Sequence, residues 1–225
     1  MKFFSFLLTS FFSLFFSLFF ALTIQAQSFQ RELSLQNGGT VEIINKFGRV
    51  DVLAESVKSE NDKEENAVGK TKGKISVTAN SDKTLSESEI KIDASDGKIR
   101  IEVAPSDAKK RVDLSLNLPE RIRLKIQTGD GEAKVSGDFE SVEIKTETGT
   151  IAADVPLENV KYDFVWTESR PRFLSDVELE KVKEKSAGKF VINGRIVDEE
   201  KGKRGKGDVR TVCGSGRVGR FGKFN

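Results

Sequence analysis

The sequence predicts an all-β protein, and two observations support this prediction. Aliphatic residues alternate with polar ones in segment after segment, most clearly along residues 112–118, VDLSLNL. A period of two is typical of strands that bury one face, and most of the alternating residues are β-branched, which suits a pleated sheet. Patterns of helical period are nearly absent, and only residues 176–186 suggest one short helix.

An apolar leader precedes the strands. Lys2 is the only charged residue in the segment 1–26, and ten of the 17 phenylalanines lie in the first 30 positions. A charged start, an apolar middle and a small residue before a polar stretch predict a secretory signal peptide, cleaved between Ala26 and Gln27. The alternative is an N-terminal membrane anchor, because about 20 apolar residues can span a bilayer. We expect an exported protein that meets a membrane only through this leader, if the leader is uncleaved.

Residues 27–200 read as one domain of successive short strands. Each run is bounded by turn-forming or charged residues, and Pro119 ends the longest one. In chain order the apolar members are Val41 and Ile43; Val50 and Val52; Ile75 and Val77; Ile90 and Ile92; Ile99, Ile101 and Val103; Val112, Leu114, Leu116 and Leu118; Ile122, Leu124 and Ile126; Ala133 and Val135; Val142 and Ile144; Ile151, Ala153 and Val155.

A second regularity is an isoleucine followed five residues later by glycine. Glycine supplies the positive φ that a tight corner between strands needs. The last two copies lie 18 residues apart and align over 125–142 and 143–160. Such a period favours a β-solenoid-like stack of strands with glycine corners, and the alternative is a β-sandwich or meander. The pairs are Ile43/Gly48, Ile92/Gly97, Ile126/Gly131 and Ile144/Gly149.

Two segments depart from the strand pattern. Residues 54–74 are highly charged with few apolar residues, so we expect a solvated loop there. Residues 201–225 contain eight Lys or Arg, one Asp and seven Gly, and we expect a disordered basic tail. A truncated or frameshifted end is the favoured explanation of this tail, and a basic arm is the alternative.

The region 162–196 contains the candidate interaction residues. Tyr162, Phe164 and Trp166 occur at alternating positions, with Arg170 and Arg172 nearby. Aromatic rings beside arginine can form a face that binds sugar or peptide. The favoured alternative is a cap that covers the end of the stacked core, since stacked repeats need one.

Composition excludes several classes of enzyme. The chain has no histidine and one cysteine, Cys213, which rules out Ser-His-Asp and Cys-His catalysis, zinc sites and an intramolecular disulfide. Asp130, Glu132 and Glu147 lie near glycine corners, where carboxylates could bind calcium or act as acid and base. The usual calcium spacings are absent. We therefore predict no catalytic residue, no metal site and no cofactor, and no nucleic-acid partner because no recognition motif occurs.

The segment 112–155 has a strand ending in Leu-Pro and then two similar turns: 144–151, IKTETGTI, fits the form I-x-T-x-x-G-x-I/V, and 126–133, IQTGDGEA, fits it except at the last position. With 41–52, VEIINKFGRVDV, it resembles the bacterial putative-adhesin domain family over roughly residues 30–160. Residues 164–196 resemble the junction that precedes a von Willebrand A-related domain in larger exported bacterial proteins. That domain does not follow here, and its D-x-S-x-S metal motif is absent.

The resemblance implies an exported, non-enzymatic protein with a β-rich interaction surface at the cell envelope. Its partner would be an envelope or surface ligand, protein or glycan, and its location periplasmic, cell-surface or secreted. Two alternatives stay open. One is a carbohydrate-active enzyme on a β-helix, and the other is a truncated remnant of a larger protein with a von Willebrand A-related domain.

Overall fold

The computed structural model describes residues 28–36, 38–56, 72–107, 109–157, 160–186, 188–196, 207–213 and 217–222. These residues form fifteen strands and a 3₁₀ turn, Glu87–Glu89, which confirms the all-β class. The strands are β1 Ser28–Gln36, β2 Thr40–Phe47, β3 Val50–Glu55, β4 Lys72–Ser81, β5 Ile90–Ser95, β6 Lys98–Val103, β7 Val112–Pro119, β8 Arg123–Ser136, β9 Ser141–Asp154, β10 Val160–Trp166, β11 Phe173–Ser175, β12 Lys183–Ser186, β13 Lys189–Ile196, β14 Gly207–Cys213 and β15 Arg217–Gly222.

All the strands belong to one mixed sheet that has two parts. The first half-sheet has the order β5–β6–β2–β8–β9–β14–β10–β13–β12, and the second has β1–β4–β7–β3–β8–β9–β15–β11. The long strands β8 and β9 contribute to both half-sheets. The first portion of β8 pairs with β2 and its second portion with β3, and β9 is parallel to β8 along both portions. The buried aliphatic residues of both half-sheets form a single hydrophobic cluster.

Glycines mark the change from one half-sheet to the other. Gly48, Gly131 and Gly149 have φ of +121°, +152° and +110°. A Cβ at Gly131 would collide with the carbonyl oxygen of Gly48, and one at Gly149 with that of Gly131. Both the backbone conformation and the close approach therefore require glycine. Gly97, by contrast, lies at the turn of the antiparallel pair β5–β6.

The 18-residue spacing is the register of β8 on β9. The two strands are parallel from Arg123 opposite Ser141 to Ser136 opposite Asp154. The aligned pairs Ile126/Ile144, Thr128/Thr146 and Gly131/Gly149 are neighbours, as predicted. The aligned pair Val142/Val160 is not, because β14 lies between β9 and β10 and places Val209 opposite Val142.

The helix expected at 176–186 is wrong. Residues 176–182 have no regular structure, and Lys183–Ser186 is strand β12, antiparallel to β13. Val177 and Leu179 are partly buried two residues apart, so the segment has a strand-like rather than a helical period.

The disordered tail expected at 201–225 also differs from the structure. Residues 207–213 and 217–222 of that segment are strands β14 and β15, paired in parallel with β9. Val209 and Thr211 turn inward and are buried. The alternation of inward and outward residues therefore continues into this segment, although its basic, glycine-rich composition hides the pattern.

Two further predicted segments, the charged loop and the leader, lie partly or wholly outside the described residues. The expected loop 54–74 begins inside β3 and ends inside β4; its central part, 57–71, lies outside the described residues. So does the leader 1–26, with Ala26 and Gln27. Within the part of the chain that is described, no helix has the length and apolarity needed to cross a bilayer.

Candidate functional site: two outward faces and an inserted strand pair

The outward face of the first half-sheet has a row of charges that alternate in sign from strand to strand. The register places one charged residue of each of seven strands in this row. We call it the charged row; in order it contains Asp93, Arg100, Glu42, Lys125, Glu143, Arg210 and Asp163. Opposite charges on neighbouring strands stabilise a sheet modestly.

Glu42 is the most buried carboxylate of the charged row, with a side chain that is 11% exposed. Lys98 Nζ lies 2.8 Å from Glu42 Oε2, and Arg100 Nη1 lies 3.1 Å from Oε1. The hydrogen bond from Lys98 is the main cause that lowers the pKa of Glu42, with Arg100 adding to it against the opposing effect of burial. The carboxylate is therefore already saturated by two cations of the same molecule.

Glu143 repeats this arrangement farther along the row. Lys145 Nζ lies 3.0 Å from Glu143 Oε1, and Lys125 Nζ lies 3.8 Å from Oε2. The hydrogen bond from Lys145 is the largest cause that lowers the pKa of Glu143. On the next strands, Arg210 Nε lies 3.8 Å from Asp163 Oδ2. The row thus neutralises itself and leaves little net charge to attract a charged ligand.

The outward face of the second half-sheet contains a group of uncharged polar residues bordered by carboxylates: Asp113 is opposite Asn80, Asp51 is opposite Ser115, and Glu32 is opposite Ser76. Strands β1, β4 and β7 place small uncharged polar side chains next to one another on it. We call this surface the neutral patch; it comprises Gln30, Ser76, Thr78, Asn80, Ser115 and Asn117. These side chains make no hydrogen bond or ion pair with other described residues. Their hydroxyl and amide groups therefore remain available as donors and acceptors.

Strands β14 and β15 each add to one half-sheet next to β9. β14 is parallel to β9 on one side and to β10 on the other, and β15 lies between β9 and β11. Thr211 is opposite Ile144, and Val218 is opposite Ile151, so both pairs are 67 residues apart in the sequence; the register then shifts by one residue between Val218 and Arg220. The tail therefore supplies one further strand to each half-sheet.

A buried ion pair joins the two connections that cross between the half-sheets. Glu89 lies between β4 and β5, and Lys110 lies between β6 and β7. Lys110 Nζ is 2.5 Å from Glu89 Oε2, with side chains 4% and 7% exposed. Lys110 also donates to the carbonyl oxygen of Thr84, and Ser106 donates its N–H and hydroxyl to Glu89 Oε1. The hydrogen bond from Lys110, followed by those from Ser106 and Ser86, holds the pKa of Glu89 well below its ordinary value.

The predicted aromatic residues are inside the protein. Tyr162 is 2% exposed and Trp166 is 0% exposed, whereas Arg170 and Arg172 are exposed. The Tyr162 hydroxyl accepts a hydrogen bond from the Glu180 backbone N–H at 3.0 Å. Neither ring is therefore on the surface to stack against a sugar, and the cap stays the interpretation that their burial favours.

The predicted carboxylates at the corners do not converge. Asp130 is paired with Arg111 at 3.2 Å, and Glu132 with Arg49 at 3.4 Å. Among the described residues, no group of three His, Cys, Asp or Glu side chains could hold a metal ion. Sequence reasoning missed the neutral patch, whose members are ordinary outward positions of alternating runs, because only the register shows that they are adjacent.

No family model and no curated protein matches this sequence. Among solved structures, a putative cell adhesion protein from Clostridium sporogenes is 12% identical, with a TM-score of 0.48 over 88% of this chain and 100% of that chain. A putative adhesin from Parabacteroides merdae is 10% identical, with a TM-score of 0.28 over 88% and 97%. A putative lipid binding protein from Parabacteroides distasonis is 8% identical, with a TM-score of 0.25 over 88% and 98%. None of these likenesses decides what this chain binds.

Proposed function

We propose that this chain is an exported, non-enzymatic, adhesin-like protein that presents the neutral patch to a neutral glycan of the bacterial cell envelope. One observation carries the proposal. The donors and acceptors of the neutral patch have no partner among the described residues, whereas Glu42 and Glu143 on the charged row are already paired.

The chemistry of the patch matches uncharged sugar better than a charged ligand. Thr78 and Ser115 are opposite each other on neighbouring strands, so their Cβ atoms lie about 5 Å apart. A sugar hydroxyl can both donate to and accept from such groups. No lysine or arginine belongs to the patch, and the nearby Lys74 is paired with Glu32 at 2.7 Å. A surface of uncharged polar groups gives weak binding at each site, so many copies on an envelope would be needed for retention.

A retention experiment tests this function. The exported full chain is coupled to beads at high density and incubated with fluorescent dextran or mannan, with heparin as an anionic comparison. We expect the neutral polysaccharides to be retained and Ser115→Lys to lower retention about tenfold, because an ammonium group on the patch must be desolvated on contact. Gln127→Lys is the matched control, since Gln127 is an equally exposed outward residue on the first half-sheet.

Three results would contradict the proposal. Retention of heparin alone would assign binding to the basic residues, and equal loss with both lysine variants would assign it to net charge. Release of new reducing ends from the polysaccharide would favour the enzyme alternative. No contact among the described acids supports that alternative, since Asp130 and Glu132 are each engaged by an arginine.

A further inference from the structure

Strand β14 occupies a place that the chain order would give to another strand. Strands β9 and β10 follow each other in the sequence, separated by residues 155–159. Strands β8 and β9, by contrast, are consecutive in the chain and are also direct neighbours in the sheet. Between β9 and β10, however, the neighbour of both strands comes from the far end of the chain. The sheet therefore contains a site between β9 and β10 that is filled by a strand distant from both in the sequence.

This site recognises its strand through both backbone and side chains. β14 pairs with β9 from Asp208 to Cys213 and with β10 from Gly207 to Cys213. On the outward side, Arg210 lies between Glu143 and Asp163, and it contributes to the lowered pKa of Glu143. A strand without a cation at this position would leave two carboxylates facing each other across it. The site is thus complementary to the sequence of residues 207–213.

The inward side of β14 makes its departure less costly than that of any neighbouring strand. Among the side chains of β14 that the structure describes, the buried ones are Val209 and Thr211, which lie opposite Val142 and Ile144 of β9. Thr211 is 0% exposed, and its hydroxyl has no hydrogen-bond partner among the described residues. An unsatisfied buried hydroxyl disfavours the docked state relative to an aliphatic side chain.

The connection to β14 is much longer than the gap that it must cross. Ile196 at the end of β13 and Gly207 at the start of β14 both lie opposite Val160. They are therefore two strand spacings apart, about 10 Å. Ten residues separate them in the sequence, and such a length can span about 33 Å when extended. The connection can accordingly deliver β14 to the site of its own molecule or to that of a neighbour.

We propose that the site between β9 and β10 is a strand-acceptor site whose second occupant is strand β14, Gly207–Cys213, of another copy of this chain. Exchange of an identical element preserves every contact of the docked strand and needs only a connection that can extend. High local concentration at an envelope surface would favour the exchanged form. The proposal does not depend on the glycan function of the neutral patch.

Disulfide trapping between two variants of the full chain tests this exchange. The acceptor variant contains Glu143→Cys and Cys213→Ser; the donor variant contains Arg210→Cys and Cys213→Ser. Residues 143 and 210 are direct neighbours in the parallel register, and neighbouring strands bring Cα atoms within the range of a disulfide. The two variants are mixed at high concentration, warmed below their unfolding midpoint, cooled and oxidised. We expect a covalent heterodimer.

A second donor is the matched control. It contains Ser115→Cys with Cys213→Ser, an exposed outward position on β7 that is not adjacent to residue 143. The true donor should give about tenfold more heterodimer than this control, because a disulfide requires close Cα atoms. Equal yields from the two donors, or monomers alone, would overturn the exchange.

A single chain with both Glu143→Cys and Arg210→Cys, again with Cys213→Ser, secures the interpretation. At low concentration it should form an intramolecular disulfide, since β14 then lies in its own acceptor site. Failure of this chain to cross-link while it retains the β-type circular dichroism spectrum would show that β14 does not occupy the site, and would overturn the proposal as well.

Discussion

The charged row and the neutral patch are built by the same alternation of inward and outward residues, yet they use it differently. In the charged row, Glu42 and Glu143 are each held by two cations. In the neutral patch, Thr78 and Ser115 contact no polar partner among the described residues. The difference teaches that exposed polar residues of one sheet can behave in two ways. Those of the charged row form ion pairs with one another, and those of the neutral patch keep their hydrogen-bonding groups available.

The largest expected effect comes from breaking the corner that joins the two faces. Gly131→Ala places a Cβ against the carbonyl oxygen of Gly48, at a φ of +152° that alanine rarely adopts. We expect a loss of about 2 kcal/mol or more in the free energy of unfolding. Chemical denaturation followed by circular dichroism measures it.

Gly97→Ala is the matched control for this corner. Gly97 also has a positive φ, +71°, but an added Cβ there would meet no atom within 4 Å. Gly97→Ala should therefore lower the free energy of unfolding by about 1 kcal/mol, the cost of the backbone strain alone. Equal losses at the two glycines would mean that the close approach of stacked corners does not contribute to stability.

An intermediate effect is expected from the ion pair that ties the two crossing connections together. The pKa of Glu89 is lowered in the folded state from an ordinary value of 4.5. A carboxylate with a lowered folded-state pKa contributes stability above its unfolded-state pKa and loses that contribution as the pH falls toward the folded-state value. The wild-type melting temperature should therefore decline from about pH 5 downward.

Glu89→Gln isolates the contribution of this ion pair. It should lower the melting temperature at pH 7, because Lys110 is then buried without its counter-charge, and the variant and wild-type curves should converge as the pH falls. The exposed neighbour Glu87, in the same 3₁₀ turn, provides the control Glu87→Gln, which should follow the wild-type curve. A constant difference between Glu89→Gln and wild type from pH 7 to pH 3 would contradict this role.

Much of the fold can be predicted from the sequence, because the alternation of apolar and polar residues within a short segment is enough to indicate a strand. The alternation predicts strands such as 112–118, and the spacing of Ile126 and Ile144 predicts the register of β8 on β9. Gly131 and Gly149 indicate the positions of their corners, because the positive φ and the close backbone contact there require glycine.

What the sequence does not predict depends on contacts between distant segments. Strand β14 is weakly apolar and lies in a basic, glycine-rich stretch, so only its insertion between β9 and β10 reveals it as a strand. The neutral patch is assembled from three strands whose order, β1–β4–β7, no local pattern specifies. The segment 176–182 misleads in the opposite direction, since its charged composition favours helix although its partly buried residues, Val177 and Leu179, have the spacing of a strand.

The smallest effect is the most direct comparison of the two faces. Glu42→Gln removes the charge that Lys98 and Arg100 share, and we expect it to lower the free energy of unfolding by about 1 kcal/mol at low salt and by less at high salt. Ser115→Ala removes a hydroxyl with no partner among the described residues, and should change stability by no more than about 0.5 kcal/mol. Urea titrations of both variants at two salt concentrations give these values. If Ser115→Ala proved as destabilising as Glu42→Gln, the hydroxyl would be part of the fold's own bonding, and the neutral patch would no longer differ from the charged row.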